Sequence, residues 1–294
     1  MSLRQDLKSK NFVITAELNP ARTCSADVIV NNAKRLVGLV SAINITDNSG
    51  AAMKMSSLVA SFLMQSQTGI EAIWQITCRD RNRLAIQSDL LGAYALGLRN
   101  ILPLKGDAPI APLTVEKCFD INTDQLIETC IKLSKGKDLD DKDVKEPFID
   151  FCIGAAAHPG MEDLNVQKNS MQKRLEMGAE FFQTQICFDK KQMENFANII
   201  GPDLVSKTLL GLTPIKSLKQ AEFMNKNIFG VTVPPEIITR IAAASNDEDA
   251  AKIGLDIAVE LTNEIKQIGF RGVHVMAIGQ ESRLAEIVNY INPK

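Results

Sequence analysis

Three consecutive segments decide the fold: IEAIWQIT (Ile70–Thr77), LAIQSDLLGAYAL (Leu84–Leu96, followed by Gly97) and NILPL (Asn100–Leu104). The first and third are short and apolar, with β-branched and aromatic residues that favour strands. The middle segment carries apolar residues at helical spacing and stops at a glycine, which accepts the left-handed backbone of a helix C-terminus. A strand, a helix and a second strand in this order imply parallel pairing through a right-handed crossover.

The same unit recurs on both sides. Upstream, Phe12–Glu17 reads as a strand. From Ala26, with Ser25 as N-cap, the residues Val28, Ile29, Ala33, Leu36, Val37 and Val40 recur at helical spacing. Ser41–Thr46 is the next strand, and Asp-Asn-Ser-Gly leads from it into a helix over Ala51–Gln65. Downstream, strands at Phe148–Ala156, Glu180–Gln185 and Ser206–Leu212 alternate with helices at Leu164–Met177, Lys190–Ile199 and Ser217–Asn225. Helices over Glu236–Ala244 and Asp247–Ile268 precede a last strand, Gly272–Ala277, and Glu281–Tyr290 closes the chain. Eight strands, each followed by a helix, in 294 residues predict a single (β/α)8 TIM barrel over residues 1–294. An open doubly wound sheet is the alternative; the lack of G-x-G-x-x-G after the first strand counts against its dinucleotide-binding form.

Composition narrows the class. A net charge of −2 and a pI near 5.8 argue against a nucleic-acid binder. No run approaches the ~18 apolar residues of a membrane span, and the polar opening MSLRQDLKSKNF has no signal-peptide core. Six dispersed cysteines without a C-x-x-C pair read as reduced thiols, which predicts a cytoplasmic protein, and two histidines argue against a His-rich metal site. The mixed charges of Lys135–Lys145 read as a solvated loop, with partner docking as the other reading.

In a barrel of this kind the chemistry collects at the C-terminal strand ends. The polar residues there are Glu17, Thr46, Gln75, Asp107, His158, Gln185 and Gln280. Two carboxylates among amides and hydroxyls suggest a pocket for a heteroaromatic ligand rather than a phosphosugar. Glu17 closes an apolar strand, where a carboxyl's charged form is disfavoured, and this suits general acid work near neutrality. It could equally cap the next loop or pair with Arg22. Asp107 follows Gly106, which permits close backbone approach, and could instead be a turn residue bonded to its own backbone. His158 precedes Pro159 in an extended loop, where a polar contact is as natural as catalysis.

These positions resemble the methylenetetrahydrofolate reductase family of flavin-dependent barrels. The similarity rests on Thr77-Cys-Arg-Asp-Arg-Asn-Arg83, Asn100-Ile-Leu-Pro-Leu-Lys-Gly-Asp107, Thr184-Gln-Ile-Cys-Phe-Asp189, Ala16-Glu-Leu-Asn-Pro20 and His158-Pro159, in order along nearly the whole chain. The resemblance implies reduction of 5,10-methylenetetrahydrofolate to 5-methyltetrahydrofolate by ping-pong hydride transfer. Glu17 matches the general acid, and Asp107 matches the carboxylate that steadies the iminium cation and tunes the flavin. Gln185 matches an amide on the folate, and Thr46 and Gln220 match donors and acceptors at the mouth. Thr46, Gln75, Lys105, Gly106, Asp107, His158, Lys173 and Arg174 match positions around the flavin. Gln75 stands where a His is common, Gly154 where a Tyr is common, Gln280 where an Arg often meets folate, and Lys105 in place of an Arg.

By the same resemblance the cofactor is FAD, with FMN as the alternative, and the electron donor is NAD(P)H. The expected partners are a folate substrate and either further copies of the chain or a redox subunit. The competing readings are a flavin-free pterin-binding methyltransferase barrel and a non-catalytic subunit that docks a redox partner.

Overall fold

The computed structural model describes residues 2–107, 118–228 and 230–292. Its strands are β1 (Val13–Leu18), β2 (Ala42–Ile45), β3 (Ala72–Thr77), β4 (Asn100–Leu104), β5 (Cys152–Ala157), β6 (Phe181–Ile186), β7 (Thr208–Leu212) and β8 (Gly272–Met276). They form one closed barrel in chain order, all parallel, with β8 returning to pair with β1. The predicted single TIM barrel is the observed fold, and the open sheet is excluded.

A helical layer wraps this barrel. It comprises α1 (Leu3–Ser9), α2 (Asp27–Lys34), α3 (Ser57–Thr68), α4 (Arg83–Ala95), α5 (Thr123–Ser134), α6 (Leu164–Met177), α7 (Lys190–Ile200), α8 (Pro202–Val205), α9 (Leu218–Asn227), α10 (Pro235–Ala242), α11 (Asp247–Ile268) and α12 (Leu284–Ile291). Among the described residues no helix is long and apolar enough to cross a membrane. Trp74 shows how the layers join: its ring is fully buried between sheet and helices, and its Nε1–H donates to Ser57 Oγ at 3.0 Å, fixing the start of α3.

Several local expectations shift. α3 begins at Ser57 rather than Ala51, because Asn48, Gly50 and Ala51 take left-handed backbone and a short 3-10 turn intervenes. The N-cap of α2 is Ala26 rather than Ser25, although Ser25 Oγ still accepts the Asp27 N–H at 3.1 Å. Val28 and Val37 lie exposed, and Ile29, Val30, Ala33 and Leu36 form the buried face. The segment at 135–145 closes on itself: Asp138 Oδ1 accepts the N–H groups of Asp140 and Lys142, and Lys137 pairs with Asp143. Such exposed pairs are screened by water and add little to stability, consistent with a solvated loop.

The sequence reading gives no bounds for α5, although Leu126, Ile127, Cys130 and Leu133 recur at helical spacing, and it does not anticipate α1. α5 starts from a capping box in which Asn122 and Gln125 satisfy each other's backbone N–H groups. α1 has only seven residues, begins from a similar Ser2–Gln5 box, and is held by the barrel it seals. Its Leu3 is fully buried in one cluster with Val13, Ala42, Ile73, Cys152, Phe181 and Leu209 near the N-terminal strand ends and with Leu102 farther along β4. The Leu3 N–H donates to Glu71 Oε2 at 2.7 Å, and Arg4 bridges Asp150 and Glu180. Leu3→Ala should therefore cost about 2–5 kcal/mol, as buried Leu truncations do. A urea titration should show a lower midpoint with an unchanged slope; an unshifted midpoint would mean that α1 does not seal the barrel.

Candidate active site at the barrel mouth

Alternation along the strands stacks side chains inside the barrel. Above the apolar floor lies a buried polar storey made of Thr15, Asn44, Gln183 and His274. Asn44 Nδ2 donates to Gln183 Oε1 at 2.7 Å, and Gln183 Nε2 donates back to Asn44 Oδ1 at 3.0 Å. Gln183 Nε2 also reaches Thr15 Oγ1 at 3.0 Å and lies 3.3 Å from His274 Nδ1, which is itself 3.0 Å from Thr15 Oγ1.

The next storey is the mouth, which opens into a cavity of about 690 Å³. Glu17 stands at its base. Gln75 Nε2 donates to Glu17 Oε2 at 3.0 Å, and His274 Nε2 lies 3.5 Å from the same oxygen. Asp107 faces the cavity from the loop after β4; its Oδ2 accepts the Gly50 N–H at 2.7 Å. Gly106 makes this approach feasible. Its φ is +92°, and a Cβ there would fall 2.8 Å from Arg79 Cβ. Arg79 is buried and ties the loops together, donating to Asp80, to the Asn48 carbonyl and to the Asp107 carbonyl.

Thr46, Lys105, His158, Arg174 and Gln185 line the same cavity. The Thr46 hydroxyl donates to Asn19 Oδ1 at 2.8 Å. Gln185 sits at a register shift between β6 and β7, a local irregularity that re-aims a side chain. His158 retains an exposed edge, yet burial, followed by repulsion from Arg174, lowers its imidazole below the ordinary value. Arg174 donates to the Ala156 carbonyl at 3.1 Å and to Asp124 Oδ1 at 2.9 Å.

Three predicted residues lie outside this lining. Lys173 is exposed and pairs with Asp124 at 2.8 Å. Burial opposes the charge on Asp124, but the bonds from Lys173 and Arg174 outweigh it and hold the carboxyl below its usual range. Gln220 spans the Lys216 N–H and the Ile278 carbonyl, and Gln280 is buried with its Nε2 on the Pro214 carbonyl. Both amides brace the loops after β7 and β8. At Gly154, a Cβ would lie 2.5 Å from Phe181 Cζ, so the neighbouring strand's aromatic ring already fills the space that a Tyr side chain would need.

Strand-end reading missed the storey below the mouth: Thr15, Asn44, Gln183 and His274 sit at inward positions of their strands, and period-two alternation carries that signal. It also missed Lys54, which donates to Ser49 Oγ at 2.6 Å; burial lowers its ammonium against the opposing pull of Glu281, Glu17 and Asp107. Among the described residues no group of three or more His, Cys, Asp or Glu is placed to hold a metal ion. The described cysteines are free thiols, and burial pushes Cys78 up to about 11 and Cys152 and Cys187 to about 12. A second depression of about 750 Å³ lies between the loop after β5 and α7, and Met161 lines both it and the mouth cavity.

Comparison with known proteins gives this geometry a setting. A fission-yeast protein, methylenetetrahydrofolate reductase 2 of Schizosaccharomyces pombe, is 27% identical over 81% of this chain, which spans 38% of that protein. The 5,10-methylenetetrahydrofolate reductase of Salmonella typhimurium is 21% identical over 91% of the chain and 86% of its own length. A solved structure of an uncharacterized protein from Clostridium thermocellum, described as binding two copies of 5-methyl-5,6,7,8-tetrahydrofolic acid, shares the fold with a TM-score of 0.64 at 15% identity, covering 98% of each chain. The profile of the methylenetetrahydrofolate reductase family matches residues 2–292, and the chain belongs to that family.

Proposed function

We propose that this protein reduces 5,10-methylenetetrahydrofolate to 5-methyltetrahydrofolate, using a flavin held at the barrel mouth. One observation carries the reading: Glu17 and Asp107, from separate strand ends, line a single cavity. The methyltetrahydrofolate named for the Clostridium thermocellum neighbour supports a folate as the ligand.

The residues present suit a flat heteroaromatic group. Leu102, Pro103, Ala156 and Ala157 offer apolar surface, while Gln75, Thr77 and Ser170 offer hydrogen bonds at its edge. Lys105, His158 and Arg174 would hold the ribityl and phosphate portions. We assign FAD, with FMN as the alternative that the missing aromatic at Gly154 leaves open, and NAD(P)H as electron donor. A redox partner chain is the other donor route, and association of copies is part of the same reading.

The chemistry then follows from the side chains. Glu17 gives its proton to N10 of the substrate; the N10–methylene bond breaks with its electrons retained on nitrogen, and a 5-iminium cation forms. Asp107 stabilises that cation because its charge is already in position when positive charge develops. A reduced flavin, when bound, supplies hydride to the methylene carbon. Gln185 orients the pterin.

Glu17→Gln should leave the flavin bound and reducible by NAD(P)H while folate reduction falls about 10²–10⁴-fold. Stopped-flow measurement of the two half-reactions decides this, and joint loss of both contradicts the acid role. Asp107→Asn should raise the flavin potential and slow folate reduction on the order of a hundredfold. Dye-coupled potentiometry checks it: an unmoved potential removes the tuning role, and purified protein without flavin absorbance favours the methyltransferase reading. For Gln185→Ala, a folate Kd about tenfold weaker is expected by titration, equivalent to one lost hydrogen bond. Wild-type affinity would place the folate elsewhere.

A further inference from the structure

Both contacts on the Glu17 carboxyl go to the same oxygen. Gln75 Nε2 donates to Oε2 at 3.0 Å, and His274 Nε2 approaches Oε2 at 3.5 Å; among the described residues no donor reaches Oε1. The carboxyl thus has one oxygen turned toward protein donors and one left for the cavity. The asymmetry depends on which nitrogen of His274 carries hydrogen.

The polar storey answers that question. The Asn44–Gln183 pair exchanges two hydrogen bonds, so each amide's orientation fixes the other's. Gln183 Nε2 has two hydrogens and no acceptor capacity. One goes to Asn44 Oδ1, and the other faces Thr15 Oγ1 at 3.0 Å and His274 Nδ1 at 3.3 Å. The Thr15 hydroxyl lies 3.0 Å from the same Nδ1. The Thr15 hydroxyl can donate or accept, so Nδ1 can receive both it and the second amide hydrogen; Nε2, 3.5 Å from a carboxyl oxygen, is then the ring nitrogen that carries the hydrogen.

We propose that His274 is a positioning residue for Glu17. The chain Asn44–Gln183–Thr15 locks it as the Nε2–H tautomer, and this N–H joins Gln75 in holding Glu17 Oε2, leaving Oε1 to carry the transferable proton. When that O–H bond breaks and the proton moves to the substrate nitrogen, the electron pair stays on the carboxylate, where the two N–H groups receive its charge. The 3.5 Å separation is long for a hydrogen bond, and such contacts commonly tighten when substrate binds. This inference rests on the proposed acid role of Glu17.

Two histidines in the chain make the test direct. In protein labelled with ¹⁵N-histidine, the His274 ring, assigned by its loss in His274→Gln, should show a pyrrole-type Nε2 and a pyridine-type Nδ1. An Nδ1–H tautomer, or rapid averaging between the two, overturns the proposal, because Nδ1 would then donate to Thr15 and no fixed N–H would face Glu17. In the holoenzyme, His274→Leu should slow folate reduction on the order of a hundredfold while flavin reduction by NAD(P)H is unchanged. His274→Gln, which keeps a donor in reach, should recover most of that loss. Equal loss in both half-reactions marks a structural role and also overturns the proposal. If Glu17→Gln leaves folate reduction intact, the acid reading itself fails; if Glu17→Gln abolishes it and His274→Leu changes nothing, only the positioning role fails.

Discussion

The amide pair of Asn44 and Gln183 spans the barrel from β2 to β6, and the interior of the molecule is arranged around it. Barrel interiors of this class are usually filled with branched aliphatic side chains. Here a layer of amide, hydroxyl and imidazole groups is buried, and each unpaired member would cost about 1–3 kcal/mol. The reciprocal pair uses one hydrogen of each amide and leaves the second hydrogen of Gln183 pointing at Thr15 and His274. Their orientations follow from the pair, and the carboxyl above follows from theirs.

Above that layer, strand ends supply most of the cavity lining and loops complete it, and arginines fix the loops. The run Thr77–Arg83 carries three. Arg79 ties the segments after β2 and β4 to its own, Arg81 pairs with the buried Asp47 at 2.6 Å and with Asp89, and Arg83 pairs with Asp120. Asp47 also accepts the Thr77 N–H and the Ser57 hydroxyl, so one carboxylate joins β2, β3 and the start of α3. Removing one partner of a buried pair strands the other's charge, which is far costlier than loss of an exposed pair. The family-like motif therefore acts on the cavity through the loops, and its arginines are spent on protein.

This division explains what could be read in the sequence. The strand–helix alternation was legible because each strand is a short apolar run and many of the helices end at glycines such as Gly69, Gly178 and Gly269 in left-handed geometry. The start of α3 was not, since left-handed backbone at Asn48 and Ala51 has no unmistakable residue signal. Glu17, Asp107, Gln75 and Gln185 were legible as strand-end polar groups. Lys173, Gln220 and Gln280 share that chemistry, but their partners are an aspartate and backbone carbonyls, which only the folded arrangement reveals. His274 is the reverse case. Its sequence neighbours are plain strand residues, and its importance comes from meeting Thr15 on the adjacent strand and Gln183 from β6.

The far end of the molecule bears on the same chemistry. A hydrogen-bonded layer works as a rigid relay only where water cannot substitute for its members, and a low local dielectric strengthens each bond in it. Water is kept from below by the apolar floor, and that floor is completed by Leu3, with the partly buried Leu7 packed against it, from a helix of seven residues that would not be stable alone. α1 depends on the barrel for its helicity, and the barrel depends on α1 for a dry base. The segment least legible in sequence thus sets the environment in which Asn44, Gln183, Thr15 and His274 can hold one carboxylate oxygen and leave the other to the cavity.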